Sequence, residues 1–111
     1  MDANELRIGN FVDDNGVTIQ MTYITEDNTE WFEPIPLTEE WLVKFGFENT
    51  NTKENPNYKK GFYTCMVREH GINICNGHGF INDLNHVHQL QNLYFALTGE
   101  ELELKTLSLN N

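Results

Sequence analysis

The sequence is poor in basic residues and in long apolar runs, and each shortage narrows the functions it can have. Seven Lys and Arg side chains stand against seventeen Asp and Glu side chains, which gives a formal net charge of −10 over 111 residues. Proteins that bind a nucleic-acid backbone without sequence preference need a surplus of Lys and Arg, so we expect no direct nucleic-acid binding. No apolar run approaches the roughly 20 residues that a membrane-spanning helix requires, so we expect no membrane partner.

Cysteine is scarce too, and the patterns typical of cofactor binding are missing. The two cysteines are too few for the disulfide framework of a small secreted domain. The first residues carry no basic segment followed by an apolar one, so we expect no signal peptide. The sequence has neither a P-loop nor a complete dinucleotide-binding glycine pattern. We therefore expect a cytoplasmic protein with reduced thiols and no cofactor.

The residues that are present predict a single α+β domain over residues 1–111, beginning with three strands. Asn15-Gly16 suits the positive φ angles of a type I′ hairpin turn. Beyond it, apolar and polar residues alternate from 17 to 23, as they do in a half-buried strand. A third strand is expected at 31–35, at a sheet edge because Pro34 cannot donate a backbone hydrogen bond. This N-terminal third is predicted to be a β-meander, with an SH3-like curl as one form of it.

A short helix, a loop and a β-hairpin are expected next. Thr38 is a good N-cap, and Gly46 suits the left-handed residue that ends a helix, so the helix lies between them. Residues 48–60 contain almost nothing to bury, and we expect a mobile loop there. Two strands follow at 61–68 and 72–76 and form the hairpin.

The predicted hairpin carries both cysteines. If its turn centres on His70, Cys65 faces Cys75 across the ladder. In one alternative the chain is a metal-binding or enzymatic domain that uses these thiols with His78. The cysteines are ten residues apart, however, unlike the tight ligand pairs of structural zinc sites. We therefore expect buried or idle thiols, with no metal and no catalytic residue.

The C-terminal third predicts a long amphipathic helix packed across the sheet. Apolar residues recur there at three- and four-residue steps until Gly99 ends the pattern. These residues are Leu84, Val87, Leu90, Leu93, Tyr94 and Leu97. The opposite face carries neutral donors and acceptors, and it either faces water or serves as a recognition surface. Its residues are Asn82, His86, His88, Gln89, Gln91 and Asn92. Residues 101–104 alternate like a short closing strand, and 106–111 are expected to fray.

Negative charge is concentrated in the first half of the chain, where residues 1–50 carry eleven acids and two bases, a net charge of −9. Such asymmetry marks either an acidic binding face or a surface that keeps the protein soluble. The candidate binding residues are Asp13, Asp14, Glu26, Asp27, Glu30 and Glu33. An alternative function is a small-ligand module that sequesters nucleotides through a basic and aromatic group on their phosphates. The candidate residues of that group are Tyr58, Lys59, Lys60 and Arg68.

Three blocks of sequence stand out together: Asn4–Asn10 (NELRIGN), Glu33–Leu42 (EPIPLTEEWL) and His88–Gly99 (HQLQNLYFALTG). They resemble a group of small proteins encoded by bacterial phages and integrated mobile elements. The resemblance implies a provenance in a bacterial host cell and supplies no catalytic or ligand-binding residue. Small acidic phage proteins without catalytic motifs often bind host machinery. By that analogy we expect a non-enzymatic protein that binds and inhibits a host protein, such as a CRISPR-Cas nuclease or another nucleic-acid-binding defence effector.

Overall fold

The computed structural model describes residues 6–22, 32–50, 56–69 and 71–104, and these form an α+β fold. In chain order the elements are β1 Phe11–Asp14, β2 Val17–Gln20, α1 Glu39–Lys44, β3 Glu48–Asn49, β4 Asn57–Lys60, β5 Tyr63–Arg68, β6 Gly71–Asn76, β7 Gly79–Leu84 and α2 Val87–Thr98. Neither of the two helices in this part of the chain is long and apolar enough to cross a membrane.

The chain divides into two compact units. Unit 1 comprises 1–36 and 86–101, and unit 2 comprises 37–85 and 102–111. Each unit has buried apolar side chains of its own. The expectation of a single domain over 1–111 stays a prediction.

Unit 1 is built on the hairpin of β1 and β2, whose two-residue turn was predicted correctly. Asn15 has a φ of 51° and Gly16 a φ of 88°, so both central residues are left-handed, as a type I′ turn requires. The predicted third strand is reduced among the described residues to a single bridge between Asp13 and Glu33. Proline at 34 and at 36 removes two backbone donors, so the pairing does not extend. Trp31 lies outside the described residues, and the SH3-like curl stays a prediction.

The C-terminal helix α2 lies against β1. Gly99, with a φ of 78°, ends it as expected. Its predicted start was wrong, because Leu84 is the last residue of β7 and His86 is the N-cap. The His86 N–H donates to Gln89 Oε1 at 2.9 Å, which satisfies one of the free donors at a helix N-terminus. The repeat of apolar residues at three- and four-residue steps therefore runs across two successive elements, the end of β7 and the helix α2.

Unit 2 is a five-stranded antiparallel sheet in the order β3-β4-β5-β6-β7, together with α1. The mobile loop expected at 48–60 is wrong for 48–49 and 57–60, which are β3 and β4. Tyr58 is the single buried residue of these two strands. Their remaining side chains are polar and partly or fully exposed, which is why the segment has the composition of a loop. Residues 51–55 lie outside the described residues.

The β5–β6 hairpin was predicted correctly in place but wrongly in register. Arg68 pairs with Gly71, so the turn has two residues instead of centring on His70. Cys65 therefore pairs with Ile74, and Cys75 pairs with Thr64. A shift of one residue moves a side chain to the other face of a sheet. The two cysteines consequently lie on opposite faces of the sheet.

Helix α1 agrees with its prediction, and the last predicted strand does not. Thr38 is the N-cap of α1, and Gly46 follows the helix with a φ of 91°. No strand forms over 101–104, although Leu102 is buried there. The predicted frayed tail at 106–111 lies outside the described residues.

Candidate interaction surface

Two of the six predicted acidic residues, Asp13 and Glu33, lie side by side in unit 1. Their backbones form an isolated antiparallel bridge in which each N–H donates to the carbonyl oxygen of the other at 2.9 Å. In such a hydrogen-bonded pair the two Cα atoms are about 5.5 Å apart, and the side chains project from the same face. Glu33 is exposed and Asp13 is half-buried. We call these two residues the acidic pair.

The other acidic candidates do not join this pair in the described structure. Asp14 is opposite Val17 at the end of the β1–β2 hairpin. Because neighbouring residues of a strand point to opposite faces, Asp14 lies on the other side of the hairpin from Asp13. Val17 is 60% exposed, so the carboxylate of Asp14 is next to an apolar surface. The remaining candidates, Glu26, Asp27 and Glu30, lie outside the described residues.

No described cation neutralises the acidic pair. Within residues 6–22, 32–50, 56–69 and 71–104, the one ion pair joins Arg7 to Glu101. Like charges on directly paired residues destabilise the pairing. The two carboxylates of the acidic pair therefore repel one another, and no cation among the described residues lies against them.

The four residues proposed to hold phosphates do not converge. Tyr58 is buried, and its hydroxyl donates to Glu39 Oε1 at 2.7 Å, which raises its pKa together with burial and the nearby negative charge. Strand alternation places Lys60 on the same face as Tyr58, and Lys59 on the opposite, open face with Arg68. The prediction that these positions form a single basic and aromatic group is therefore wrong. Tyr58 and Lys60 share one face of the sheet, and Lys59 and Arg68 share the other.

Burial makes Cys65 a poor candidate for metal binding or nucleophilic attack. Cys65 is fully buried, and burial, with a smaller effect of Cys75, raises the pKa of its thiol to about 12. Both cysteines are free. His78 is exposed, and its ring packs edge-on against Phe62 with centroids 6.3 Å apart. Among the described residues, no group of three His, Cys, Asp or Glu side chains is placed to hold a metal ion.

A buried amide cluster in unit 1 was missed by the sequence reasoning. Gln91 is fully buried; its Oε1 accepts from the Phe11 N–H at 2.8 Å, and its Nε2 donates to the Gly9 carbonyl oxygen at 2.9 Å. Asn10 is also fully buried and donates to Asn92 Oδ1 at 2.9 Å. The side chain of Gln91 thus holds the chain just before β1 against α2.

Arg7 extends this cluster to the surface of unit 1. Its Nε donates to Asn92 Oδ1 at 2.9 Å, and its two Nη atoms contact the carboxylate of Glu101. The guanidinium carbon also lies 4.4 Å from the ring centroid of Phe95. Every donor nitrogen of the guanidinium group therefore has a partner.

The polar face of α2 was expected to meet water or a partner, and for Gln91 and His88 that expectation is wrong. Gln91 is fully buried, and His88 is 2% exposed, with its ring stacked on that of His86. The signal in the sequence was the lack of any formal charge on this face, since neutral amides can be buried once they are hydrogen-bonded. The partners of Gln91 are backbone groups some eighty positions earlier, which no local pattern predicts.

Comparisons with known proteins identify no relative of this chain: no protein-family model, no curated protein and no solved structure matches it.

Proposed function

We propose that this chain is a non-catalytic binding protein whose acidic pair contacts a basic surface on a partner protein. The observation that carries the proposal is the backbone bridge between Asp13 and Glu33. It holds two carboxylates on one face, and no described cation lies against them. A lysine or arginine from another protein would remove the repulsion between the two carboxylates and gain two attractive contacts.

The overall charge favours the same kind of partner. A net charge of −10 attracts a basic protein over about one Debye length, which is ~8 Å at physiological salt. Association that is steered in this way is fastest at low salt and slows as salt is added. A strong salt dependence of the association rate is therefore part of the proposal.

The partner that we propose is a host protein in the cytoplasm of a bacterial cell. The resemblance of the three sequence blocks to phage and mobile-element proteins supports this choice, as does the fit between a negative surface and a groove made for nucleic acid. A defence effector such as a CRISPR-Cas nuclease has such a groove. Occupying it would block nucleic-acid binding without any chemical step.

The state of the buried thiol argues against the alternative in which Cys65 is a nucleophile. The reactive form of cysteine is the thiolate, and a thiol with a pKa of about 12 contains almost none of it at neutral pH. Cys65 is also shielded from any substrate by its complete burial. A nucleophilic role for this residue is therefore not part of the proposal.

The experiment compares two double variants that lose the same charge. Asp13→Asn with Glu33→Gln removes the acidic pair, whereas Glu69→Gln with Glu103→Gln removes two exposed carboxylates of unit 2. Partners are captured from bacterial lysate with the unchanged protein, and the dominant one is purified for titration. We expect the acidic-pair variant to bind it at least tenfold more weakly, or about 1.4 kcal/mol, and the unit 2 variant to bind as before.

Two results would overturn the proposal. One is equal affinity of both double variants and the unchanged protein for the purified partner. The other is an association rate that stays constant as salt is raised, since contact through opposite charges requires that rate to fall. Circular dichroism of each variant confirms that the fold is retained before binding is measured.

A further inference from the structure

Unit 2 contains a cleft that the proposed function does not use. It has a volume of about 380 Å³, which lies within the usual range for small-molecule sites. Its lining residues are Arg68, Gly71, Ile72, Asn73, Asp83 and Asn85. They come from β5, β6 and β7 and from the residue that follows β7. Gly71 leaves room there, since a Cβ built on it would meet no atom within 4 Å.

Arg68 gives one end of the cleft a prepared site for an oxyanion. Its Nη1 donates to the Val67 carbonyl oxygen at 2.9 Å and to Asn57 Oδ1 at 3.3 Å. These two bonds fix the plane of the guanidinium group. The edge formed by Nε and Nη2 has no partner among the described residues, and this edge binds carboxylates through two parallel hydrogen bonds.

The other end of the cleft offers acceptors. Asn73 Oδ1 is buried and has no hydrogen-bond partner in the described part of the chain. A buried acceptor without a donor is unfavourable, and a donor from a ligand would relieve it. Asp83 is the partner of Asn73 across the β6–β7 ladder, so its carboxylate projects from the same face. Together these two side chains can accept several N–H bonds from a ligand.

The charges of the cleft decide which ligand fits. Arg68 supplies one positive charge and Asp83 one negative charge, so the lining is neutral overall. The strand β6 lies between β5 and β7, which places their backbones about 10 Å apart. A molecule with a carboxylate at one end and an ammonium group close by can span this gap. A nucleotide phosphate carries two negative charges, and the net charge of −10 disfavours it.

From this arrangement we infer that the cleft of unit 2 binds a small zwitterion of the α-amino acid type. Its carboxylate lies on the Nε–Nη2 edge of Arg68, and its ammonium group donates to Asp83 and to Asn73 Oδ1. Binding involves no covalent step. The inference is independent of the acidic pair, which belongs to unit 1.

The test is a titration of the full chain with individual L-amino acids at millimolar concentration, followed by ¹H–¹⁵N NMR. We expect at least one amino acid to shift the Arg68 Nε–H signal and the backbone signals of 71–73. The N-acetylated form of that amino acid lacks the ammonium group, and its carboxamide lacks the carboxylate. Each should bind at least tenfold more weakly.

Variants assign the binding to the cleft. Arg68→Ala and Asp83→Asn should each weaken binding at least tenfold, and Arg68→Lys, which keeps the charge but loses the two-pronged geometry, should weaken it as well. Lys59→Ala is the matched control, because Lys59 is exposed on the same face but lines a separate hollow of about 180 Å³. Dispersed NMR spectra confirm that each variant folds.

Three outcomes would overturn the inference: no shift with any amino acid, binding that survives Arg68→Ala and Asp83→Asn, or tighter binding of guanosine monophosphate than of every amino acid. The variant that lacks the acidic pair separates this inference from the proposed function. It should bind the amino acid as the unchanged protein does, even though it loses the protein partner.

Discussion

Arg7 in unit 1 and Arg68 in unit 2 are the same side chain in opposite situations. The guanidinium group of Arg7 contacts Asn92, Glu101 and the backbone of Gln91 through all three nitrogens. Among the described residues, that of Arg68 contacts its partners through Nη1 alone. The guanidinium group of Arg7 is thus fully hydrogen-bonded, whereas that of Arg68 has two nitrogens without a partner among the described residues.

The amides of the two units show the same contrast. Asn10 is fully buried with both side-chain atoms hydrogen-bonded. Asn73 has a buried Oδ1 without a described partner. Polar residues that satisfy one another stabilise a fold, whereas polar residues left unsatisfied in a cleft are the ones to examine for ligands. Burial of a polar group is therefore informative only when its hydrogen bonds are counted.

The largest expected loss of stability follows from replacing Gln91, whose side chain is fully buried and hydrogen-bonded in unit 1. Gln91→Ala leaves the buried Phe11 N–H without this partner, at roughly 1–3 kcal/mol. It also removes one donor from the Gly9 carbonyl oxygen, which keeps its bond from Gln20. The free energy of unfolding in urea should therefore fall by at least the cost of the unsatisfied N–H. Gln20→Ala is the control, because Gln20 donates to the same Gly9 oxygen from an exposed position. A similar loss for both variants would contradict a structural role for Gln91.

The next largest effect is a loss of folding stability at alkaline pH. It arises in unit 2, whose buried polar group is the thiol of Cys65, whereas unit 1 has buried amides. The pKa of Cys65 is raised from 9.0 to about 12 in the folded protein. Below pH 9 the thiol keeps its proton in both the folded and the unfolded state. Between pH 9 and pH 12 only the unfolded chain loses this proton, which favours unfolding. The free energy of unfolding therefore falls by about 1.4 kcal/mol per pH unit over that range. Cys65→Ala should flatten this slope, measured by urea unfolding at several pH values. An unchanged slope in Cys65→Ala, or a slope lost in the control Cys75→Ala, would refute the assignment.

A smaller effect separates the two arginines. Arg7→Ala breaks charge-assisted hydrogen bonds, which are worth about 1.5–3 kcal/mol in total after allowing for partial exposure. Arg68→Ala should change the unfolding free energy by less than about 1 kcal/mol, because it removes only the two bonds of Nη1. Thermal and urea unfolding of both variants measure the difference. An equal or larger loss for Arg68→Ala would show that this side chain is structural.

Local signals in the sequence predicted the local parts of the fold. Asn15-Gly16 placed the first hairpin, and Thr38 and Gly46 placed α1, because each signal acts within a few residues of its position. The strand at 57–60 was missed because its identity depends on pairing with β5, and its exposed side chains resemble those of a loop.

The sites depend even more on distant parts of the chain. The cleft combines Arg68 with Asp83 only because β6 pairs with both neighbouring strands, and a shift in register would separate them. The acidic pair was partly predictable, since both residues were among the candidates. Their direct pairing depends on the bridge at Glu33, which lies just before Pro34 and outside any alternating pattern.

The most direct test of the contrast between the two units makes the same substitution in each. Asn10→Ala and Asn73→Ala are compared by urea unfolding under one set of conditions. The account predicts a loss of about 1–3 kcal/mol for Asn10→Ala, whose side chain is hydrogen-bonded, and no loss or a small gain for Asn73→Ala, whose buried Oδ1 has no described partner. Comparable losses at both positions would contradict it.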